Sequence, residues 1–86
     1  MEVYDIFLER LPKIDLHGFD RESARVAVND FVSEANCLGY REILIVHGKG
    51  TGTVKEAVHG VLSRNKLVES YHLDFGNIGC TVVKLK

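Results

Sequence analysis

Hydrophobic and polar positions recur with two different periods along the chain, and the period indicates the type of each element. Residues 13–17 alternate between polar and apolar side chains, which is typical of a half-buried strand. Residues 43–46 form a continuous aliphatic run, which predicts a strand buried on both faces. Two further strands, antiparallel to each other, are predicted over residues 67–74 and 80–85, with a turn around residues 76–77.

Two segments between these strands carry apolar residues at helical spacing. The first helix is predicted to follow an N-cap at Asp20 and to end at Gly39, where a left-handed C-cap belongs. The second is predicted to open with a capping box formed by Thr53 and Glu56. The apolar stripes are Ala24, Ala27, Val28, Phe31, Ala35 and Leu38 in the first helix, and Val54, Ala57, Val58, Val61 and Leu62 in the second.

The resulting β-α-β-α-β-β order predicts an α/β (α+β) two-layer sandwich, with two helices on a four-stranded mixed sheet. The crossovers should be right-handed, and the first two strands should therefore be parallel. The chain has 86 residues, the size of one small domain. We assign this domain to residues 13–86. Residues 1–12 are predicted to form an N-terminal arm or short helix, which either covers the core or docks a partner.

Composition excludes several classes of protein. Hydrophobic residues make up 45% and charged residues 27%, as in a globular domain, and no apolar run reaches the ~20 residues that a bilayer requires. No membrane association is therefore expected. The two cysteines, Cys37 and Cys80, form no CxxC pair and are expected to pack inside the fold. With an acidic start, these features predict a soluble protein of a reducing cytoplasm. His59 is expected to be exposed to solvent.

The charges are unevenly distributed, although the net charge is only −1. Residues 1–40 hold eight acids and four bases, 4 − 8 = −4, whereas residues 41–86 hold seven bases and four acids, 7 − 4 = +3. The second half of the chain can thus present a locally basic surface to a polyanion.

Two short segments combine residue types that carry chemistry. Asp15 and His17 stand two apart at the carboxyl end of the first strand, so both should face away from Leu16. A carboxylate beside an imidazole can orient it, raise its pKa or share a metal ion with it. The alternative is an exposed polar strand face with a histidine that caps a turn.

The second segment is a glycine-rich loop between the second strand and the second helix. It comprises His47, Gly48, Lys49, Gly50, Thr51 and Gly52. Glycines, a lysine and a following helix N-terminus are features that favour binding of an anion. The spacing of the glycines and the lysine fits neither the Walker pattern nor the dinucleotide-binding pattern. A merely tight turn is the alternative. If the first two strands are neighbours, His47 shares one sheet edge with Asp15 and His17.

These two segments resemble the motifs of the Smr (small MutS-related) family. Residues 14–18 are similar to its L-D-L-H-G motif, with Ile14 in place of the first leucine, and residues 47–52 match its H-G-K-G-T-G motif. The resemblance covers residues 13–85 and implies a fold similar to the C-terminal domain of a bacterial translation initiation factor. The family usually has a second glycine where Asn77 stands, which weakens any backbone contact to nucleic acid there.

Smr domains occur as free-standing small proteins, at the C-terminus of a MutS paralogue and at the end of some plant RNA-binding repeat proteins. The N-terminal methionine makes this chain resemble the free-standing kind, and a domain excised from a longer protein is the alternative.

The resemblance implies endonucleolytic cleavage of structured or single-stranded DNA or RNA, in DNA repair or recombination or in ribosome-associated RNA processing. It points to Asp15 and His17 as catalytic residues, with His47 and the glycine-rich loop as phosphate-binding partners. In the mechanism that we favour, His47 is catalytic as well: His17, oriented by Asp15, is the general base, and His47 donates a proton to the leaving oxygen. The residues implied in phosphate or nucleic-acid binding are Gly18, Gly48, Lys49, Gly50, Thr51 and Gly52.

A metal-free mechanism is favoured, and a divalent ion such as Mg²⁺ or Mn²⁺ bound by Asp15 and His17 is the alternative. The metal ligands are otherwise unassigned. The competing functions are a non-catalytic module that docks on nucleic acid or the ribosome through the same loop, and a binder of small phosphate metabolites.

Overall fold

Six secondary-structure elements follow one another in the predicted order, which is thereby confirmed. The computed structural model describes residues 11–48, 52–74 and 77–86. The elements are β1 (Lys13–Asp15), α1 (Arg21–Cys37), β2 (Glu42–Val46), α2 (Thr53–Arg64), β3 (Val68–Asp74) and β4 (Asn77–Leu85). None of the helices in these ranges is long and apolar enough to cross a membrane. Of the predicted N-terminal arm, residues 1–10 lie outside the described ranges.

The four strands form one mixed sheet in the order β1-β2-β4-β3. β1 runs parallel to β2, with Asp15 opposite Val46, and β4 runs antiparallel to both β2 and β3. The predicted parallel first pair and antiparallel last pair are therefore confirmed. Because β4 lies inside the sheet, its residues reach the carboxyl end of β2, where Cys80 pairs with Val46.

Hydrogen bonds at both ends fix the length of α1. At the start, the Asp20 carboxylate accepts a bond from the backbone N–H of Ser23 at 2.7 Å, as predicted, and this bond lowers the pKa of the carboxyl. At the end, Gly39 takes a φ of +87° and the N–H of Tyr40 donates to the carbonyl of Ala35 at 3.0 Å. This is a Schellman motif, in which a left-handed glycine closes the helix.

The start of α2 differs from the prediction. The N-cap is Gly52, with a φ of +85° and without a side-chain hydrogen bond, and Thr53 is the first helical residue. The predicted capping box is therefore wrong, because it requires Thr53 to stand before the helix. Glu56 instead forms an exposed ion pair with Arg21 of α1 across 3.6 Å.

The main core lies between the sheet and the two helices, which pack on one of its faces. Its fully buried side chains include Leu16, Ala24, Val28, Val32, Ile43, Ile45, Val58 and Val83. Most helix residues of this core belong to the predicted stripes, and Val32 is an addition to them. Leu38 is 67% exposed, contrary to the prediction, because it is the C-cap and lies beyond the last turn that faces the sheet.

The opposite face of the sheet carries a smaller apolar cluster. Its members are Leu44, Cys80 and Val82, with Leu11 and Val46 packed against them. The packing role predicted for Cys80 is thus confirmed. The same prediction for Cys37 is wrong, because the last residue of α1 points its thiol to solvent.

Candidate functional site

The first motif, residues 14–18, leaves the sheet at the carboxyl end of β1. Leu16 is fully buried, whereas Asp15 and His17 on either side of it are exposed, as the strand alternation predicts. The Asp15 carboxylate accepts a hydrogen bond from the backbone N–H of His17 at 2.9 Å. Asp15 therefore orients His17 through the main chain, in a local turn of the Asx type. Gly18 follows with a φ of +86°.

The second motif, residues 47–52, begins at the carboxyl end of β2. The backbone N–H groups of His47 and Gly48 both donate to the carbonyl of Gly79 on β4, at 2.9 and 3.0 Å. These two N–H groups hold the loop to the sheet. An anion bound by main-chain amides would thus contact the loop beyond Gly48.

The later part of this loop leads directly into α2. Lys49, Gly50 and Thr51 lie outside the described residues, so the phosphate-binding role assigned to them stays a prediction. Gly52 is the N-cap, and without a capping side chain it leaves the first turn of α2 open toward the loop. The helix dipole makes such a helix start favourable for an anion.

The two motifs lie side by side at one edge of the sheet. The N–H of Leu16 donates to the carbonyl of Val46 at 2.7 Å, so the chain leaving β1 stays bonded to the end of β2. The ring of His17 lies against Gly48: a Cβ built on Gly48 would be 3.6 Å from Cδ2 of that ring. The fold thus brings the exposed Asp15 and His17 next to the first glycine of the loop.

The imidazole of His47 is buried, unlike that of His17. Its side chain is only 5% exposed. Nδ1 lies 3.1 Å from the carbonyl oxygen of Gly48, and Nε2 lies 2.8 Å from the Oγ1 atom of Thr81. His47 is thus buried at the carboxyl end of β2, and both of its ring nitrogens have partners.

His59 of α2 completes a polar cluster that the sequence pattern did not reveal. Its Nε2 atom lies 2.9 Å from the same Thr81 hydroxyl, and its ring centroid lies 6.0 Å from that of His47 and 5.0 Å from that of Tyr71. The prediction that His59 is exposed is wrong, since the ring is half-buried over β4. The available signal was Thr81, which shares one face of β4 with Val83 and so turns its hydroxyl toward the core.

Burial lowers the pKa of both imidazoles in this cluster. For His47, loss of hydration is the main cause; the bond to the Gly48 carbonyl opposes it and the charge of Lys55 reinforces it. For His59, burial is again the main cause, followed by the charges of His47 and Lys55. The cluster therefore favours neutral imidazoles, and Lys55 places a positive charge near it in the first turn of α2.

Comparison with known proteins identifies the family. The model of the Smr domain family matches residues 14–86. The chain belongs to the Smr family. This match includes both motifs and all six elements of the Smr fold except Lys13 at the start of β1.

Curated relatives of this Smr chain include the endonuclease MutS2 of Staphylococcus saprophyticus, 38% identical over 77 residues, and that of Clostridium acetobutylicum, 41% identical over 76 residues. These alignments cover 86% and 85% of this chain. They cover 10% of each relative, so the chain spans about a tenth of the length of the curated relatives it matches.

Two solved structures share the fold. The Smr domain of Thermus thermophilus MutS2 is 35% identical, with a TM-score of 0.85 over 88% of this chain and 99% of that one. YdaL, a stand-alone small MutS-related protein from Escherichia coli, is 24% identical with a TM-score of 0.78. That alignment covers 90% of this chain and 66% of YdaL, and at this identity it shows the fold alone.

The side chains at the motif edge of this Smr domain supply few metal ligands. Within residues 11–48, 52–74 and 77–86, no group of three or more His, Cys, Asp and Glu side chains is arranged to hold a metal ion. Asp15 brings a carboxylate to the edge, with one oxygen bonded to the His17 N–H. Mg²⁺ commonly binds one or two carboxylates together with substrate phosphates, so Asp15 fits such an ion only as part of a substrate complex.

Proposed function

We propose that this Smr domain cleaves phosphodiester bonds of DNA or RNA at the edge where its two motifs meet. The observation that carries the proposal is the exposed Asp15–His17 turn next to Gly48. It puts an accessible imidazole beside a glycine-rich loop and a helix N-terminus, which are suited to a phosphate. The name endonuclease, carried by relatives that are 38% and 41% identical over this domain, supports the same chemistry.

In the proposed reaction, His17 acts as general base. Its imidazole takes a proton from water, or from a ribose 2′-hydroxyl if the substrate is RNA. The oxygen so activated forms a new bond to phosphorus while the bond from phosphorus to the leaving oxygen breaks. Asp15 is a positioning residue, because its carboxylate holds the backbone of His17 rather than the ring.

Positive charge around the loop would stabilise the additional negative charge of the transition state. Lys55 and the N-terminus of α2 contribute from the described residues. We assign the remaining phosphate contacts to Lys49, Gly50 and Thr51. A divalent ion held by Asp15 and the substrate phosphate would supply a Lewis acid at the same place.

We propose a positioning role for His47, in place of the proton donor expected from the sequence. Both ring nitrogens are engaged, with the Gly48 carbonyl and with the Thr81 hydroxyl, and the side chain is buried. A ring held in this way cannot hand a proton to a leaving oxygen without first giving up a buried hydrogen bond. The leaving oxygen then takes its proton from solvent.

We further propose that the domain acts in the cytoplasm, in DNA repair or in ribosome-associated RNA processing. The sequence has two cysteines and no CxxC pair, which supports a reducing compartment.

The test is a cleavage assay with labelled single-stranded RNA, single-stranded DNA and branched DNA, each with Mg²⁺ and with EDTA. We expect His17→Ala to lose roughly 100-fold or more in cleavage rate while binding persists, as for removal of a general base. His72→Ala is the matched control, because His72 is exposed on β3 at the opposite edge of the sheet. Cleavage that persists in EDTA selects the metal-free reaction.

Two outcomes decide against the proposal. If the wild type and His17→Ala cleave none of the substrates, while Lys49→Ala loses binding, the domain is a docking module for nucleic acid without catalysis. If His17→Ala cleaves as fast as His72→Ala, the reaction occurs without the first motif and the assignment of His17 is wrong.

A further inference from the structure

The hydroxyl of Thr81 lies between two imidazoles that approach it from different elements. Thr81 is fully buried on β4. Its Oγ1 atom is 2.8 Å from Nε2 of His47, at the end of β2, and 2.9 Å from Nε2 of His59, on α2. The ring of Tyr71 on β3 covers His59 from the other side. Neither His59 nor Thr81 belongs to the two motifs used in the proposed reaction.

The partners of this cluster determine where its protons lie. A carbonyl oxygen only accepts, so Nδ1 of His47 carries the hydrogen that is donated to Gly48. In the neutral ring, Nε2 is then an acceptor, and it receives the single proton of the Thr81 hydroxyl. The remaining bond of Thr81 requires a donor, which is the Nε2–H of His59. With both rings neutral, all three hydrogen bonds are satisfied: His59 donates to Thr81, Thr81 donates to His47, and His47 donates to the Gly48 carbonyl.

We propose that His59 and Thr81 are positioning residues, which fix the tautomer of His47 and thereby the backbone at Gly48, next to the His17 ring. This inference rests on the proposed function of His17. Loss of the donor at His59 frees the Thr81 hydroxyl to rotate, and His47 then loses the bond that selects its Nδ1–H form.

The path from His59 to the exposed edge runs through neighbouring groups. His47 is bonded to the Gly48 carbonyl, and the His17 ring lies close enough to Gly48 that a Cβ built there would be 3.6 Å from Cδ2 of the ring. A displacement of Gly48 would therefore change the surroundings of the His17 imidazole, which is the group that meets the substrate in the proposed reaction. Geometric errors of about 1 Å at a reacting group can cost roughly 100-fold in rate, so a buried cluster can control the reaction without touching the substrate.

The charged and titratable groups around the cluster favour the neutral network. Lys55, from the first turn of α2, disfavours a positive charge on either imidazole, and Tyr71 faces His59 from β3. Protonation of His47 would put a hydrogen on Nε2 as well as on Nδ1, facing the hydrogen that Thr81 donates. The Thr81 hydroxyl would then have to rotate and accept from both rings, so acid should disrupt the one-directional network.

The test pairs substitutions that keep each hydrogen bond with substitutions that remove it. Thr81→Ser keeps the hydroxyl and Thr81→Val removes it at nearly equal volume. His59→Gln keeps an amide donor near the position of Nε2, and His59→Leu removes it. We expect kcat to fall roughly 10- to 100-fold in the two variants without the bond, and to stay within about threefold of wild type in the two that keep it. All assays are run well below the melting temperature of each variant.

A second measurement keeps this inference separate from the proposed nuclease activity. Long-range ¹H–¹⁵N correlation spectra of the full chain at neutral pH report the tautomer of each histidine. We expect the Nδ1–H form for His47 and the Nε2–H form for His59, with a mixture at His47 in Thr81→Val. The inference is overturned if wild-type His47 carries its proton on Nε2, or if Thr81→Val keeps both the wild-type spectrum and the wild-type kcat. If no substrate is cleaved, the proposed function fails while the spectra still decide the tautomers.

Discussion

Replacing Gly48 by alanine tests whether the loop backbone is held as the structure shows. Gly48 has a φ of +89°, a region that residues with a Cβ rarely adopt. The added methyl group itself meets little resistance, because its nearest contact is the His17 ring at 3.6 Å, an ordinary van der Waals distance. Any loss of stability in Gly48→Ala therefore reports backbone strain rather than a steric clash.

The expected magnitude follows from two opposing effects. A left-handed conformation costs about 1–2 kcal/mol for a residue with a side chain. Alanine also restricts the unfolded chain, which stabilises the folded state by about 0.4–1 kcal/mol. The difference is a loss of about 1 kcal/mol, or roughly 4–8 °C in melting temperature for a domain of this size. Gly48→Asn should lose less, because asparagine tolerates positive φ.

Gly60→Ala is the matched control, since Gly60 lies inside α2 and a Cβ there would meet nothing within 4 Å. This variant should gain about 0.5–1 kcal/mol, because alanine is the better helix former. Urea and thermal unfolding, followed by circular dichroism, measure both variants against wild type. A Gly48→Ala protein that is as stable as wild type or more stable would refute the reasoning, because the backbone at Gly48 would then not be constrained to positive φ.

Three further predictions concern stability. Burial lowers the pKa of His47 and His59 in the folded state, so the unfolded chain takes up protons first as the pH falls. The free energy of unfolding should therefore decline below pH 6.5, and a urea midpoint that is independent of pH there would contradict this. The lowered pKa of Asp20 should add stability above pH 3.8, and this stability is lost as acid protonates the folded carboxyl. Asp20→Asn keeps a cap but should lack this pH dependence when the urea midpoint is titrated with acid. Leu62→Ala, at a side chain only 2% exposed, should lower the free energy of unfolding by about 2–5 kcal/mol. Leu38→Ala, at a side chain 67% exposed, should change it by no more than about 0.5 kcal/mol in the same unfolding assay.

Local signals in the sequence were sufficient for most of the fold. The apolar periods separate helices from strands, and the caps at Asp20 and Gly39 depend on neighbours within a few residues. Errors occur where residue types alone do not decide the outcome. Thr53 has the residue types of a capping box around it, yet the preceding Gly52 adopts the left-handed conformation and caps the helix first. Cys37 stands beside Leu38 but lies on the helix face of Ser33 and Glu34, which is exposed.

The candidate site likewise has residues whose placement could be predicted from the sequence and residues whose placement could not. Asp15 and His17 could be placed on one face from the strand period, and their exposure follows from it. The burial of His47 could not be predicted in this way, because its partner Thr81 lies on a strand near the end of the fold. His59 was missed for the same reason, since a histidine at the margin of an apolar stripe gives no sign of the hydroxyl it will meet.

The position of β4 in the sheet determines when the motif edge can form during synthesis. This final strand of the fold lies between β2 and β3, and it supplies both the Gly79 carbonyl that holds the loop and the Thr81 hydroxyl. A nascent chain that has exposed only its first five elements lacks the centre of its sheet, so it cannot yet assemble the motif edge. During synthesis, a domain built in this order can form the proposed site only after β4 has left the ribosome.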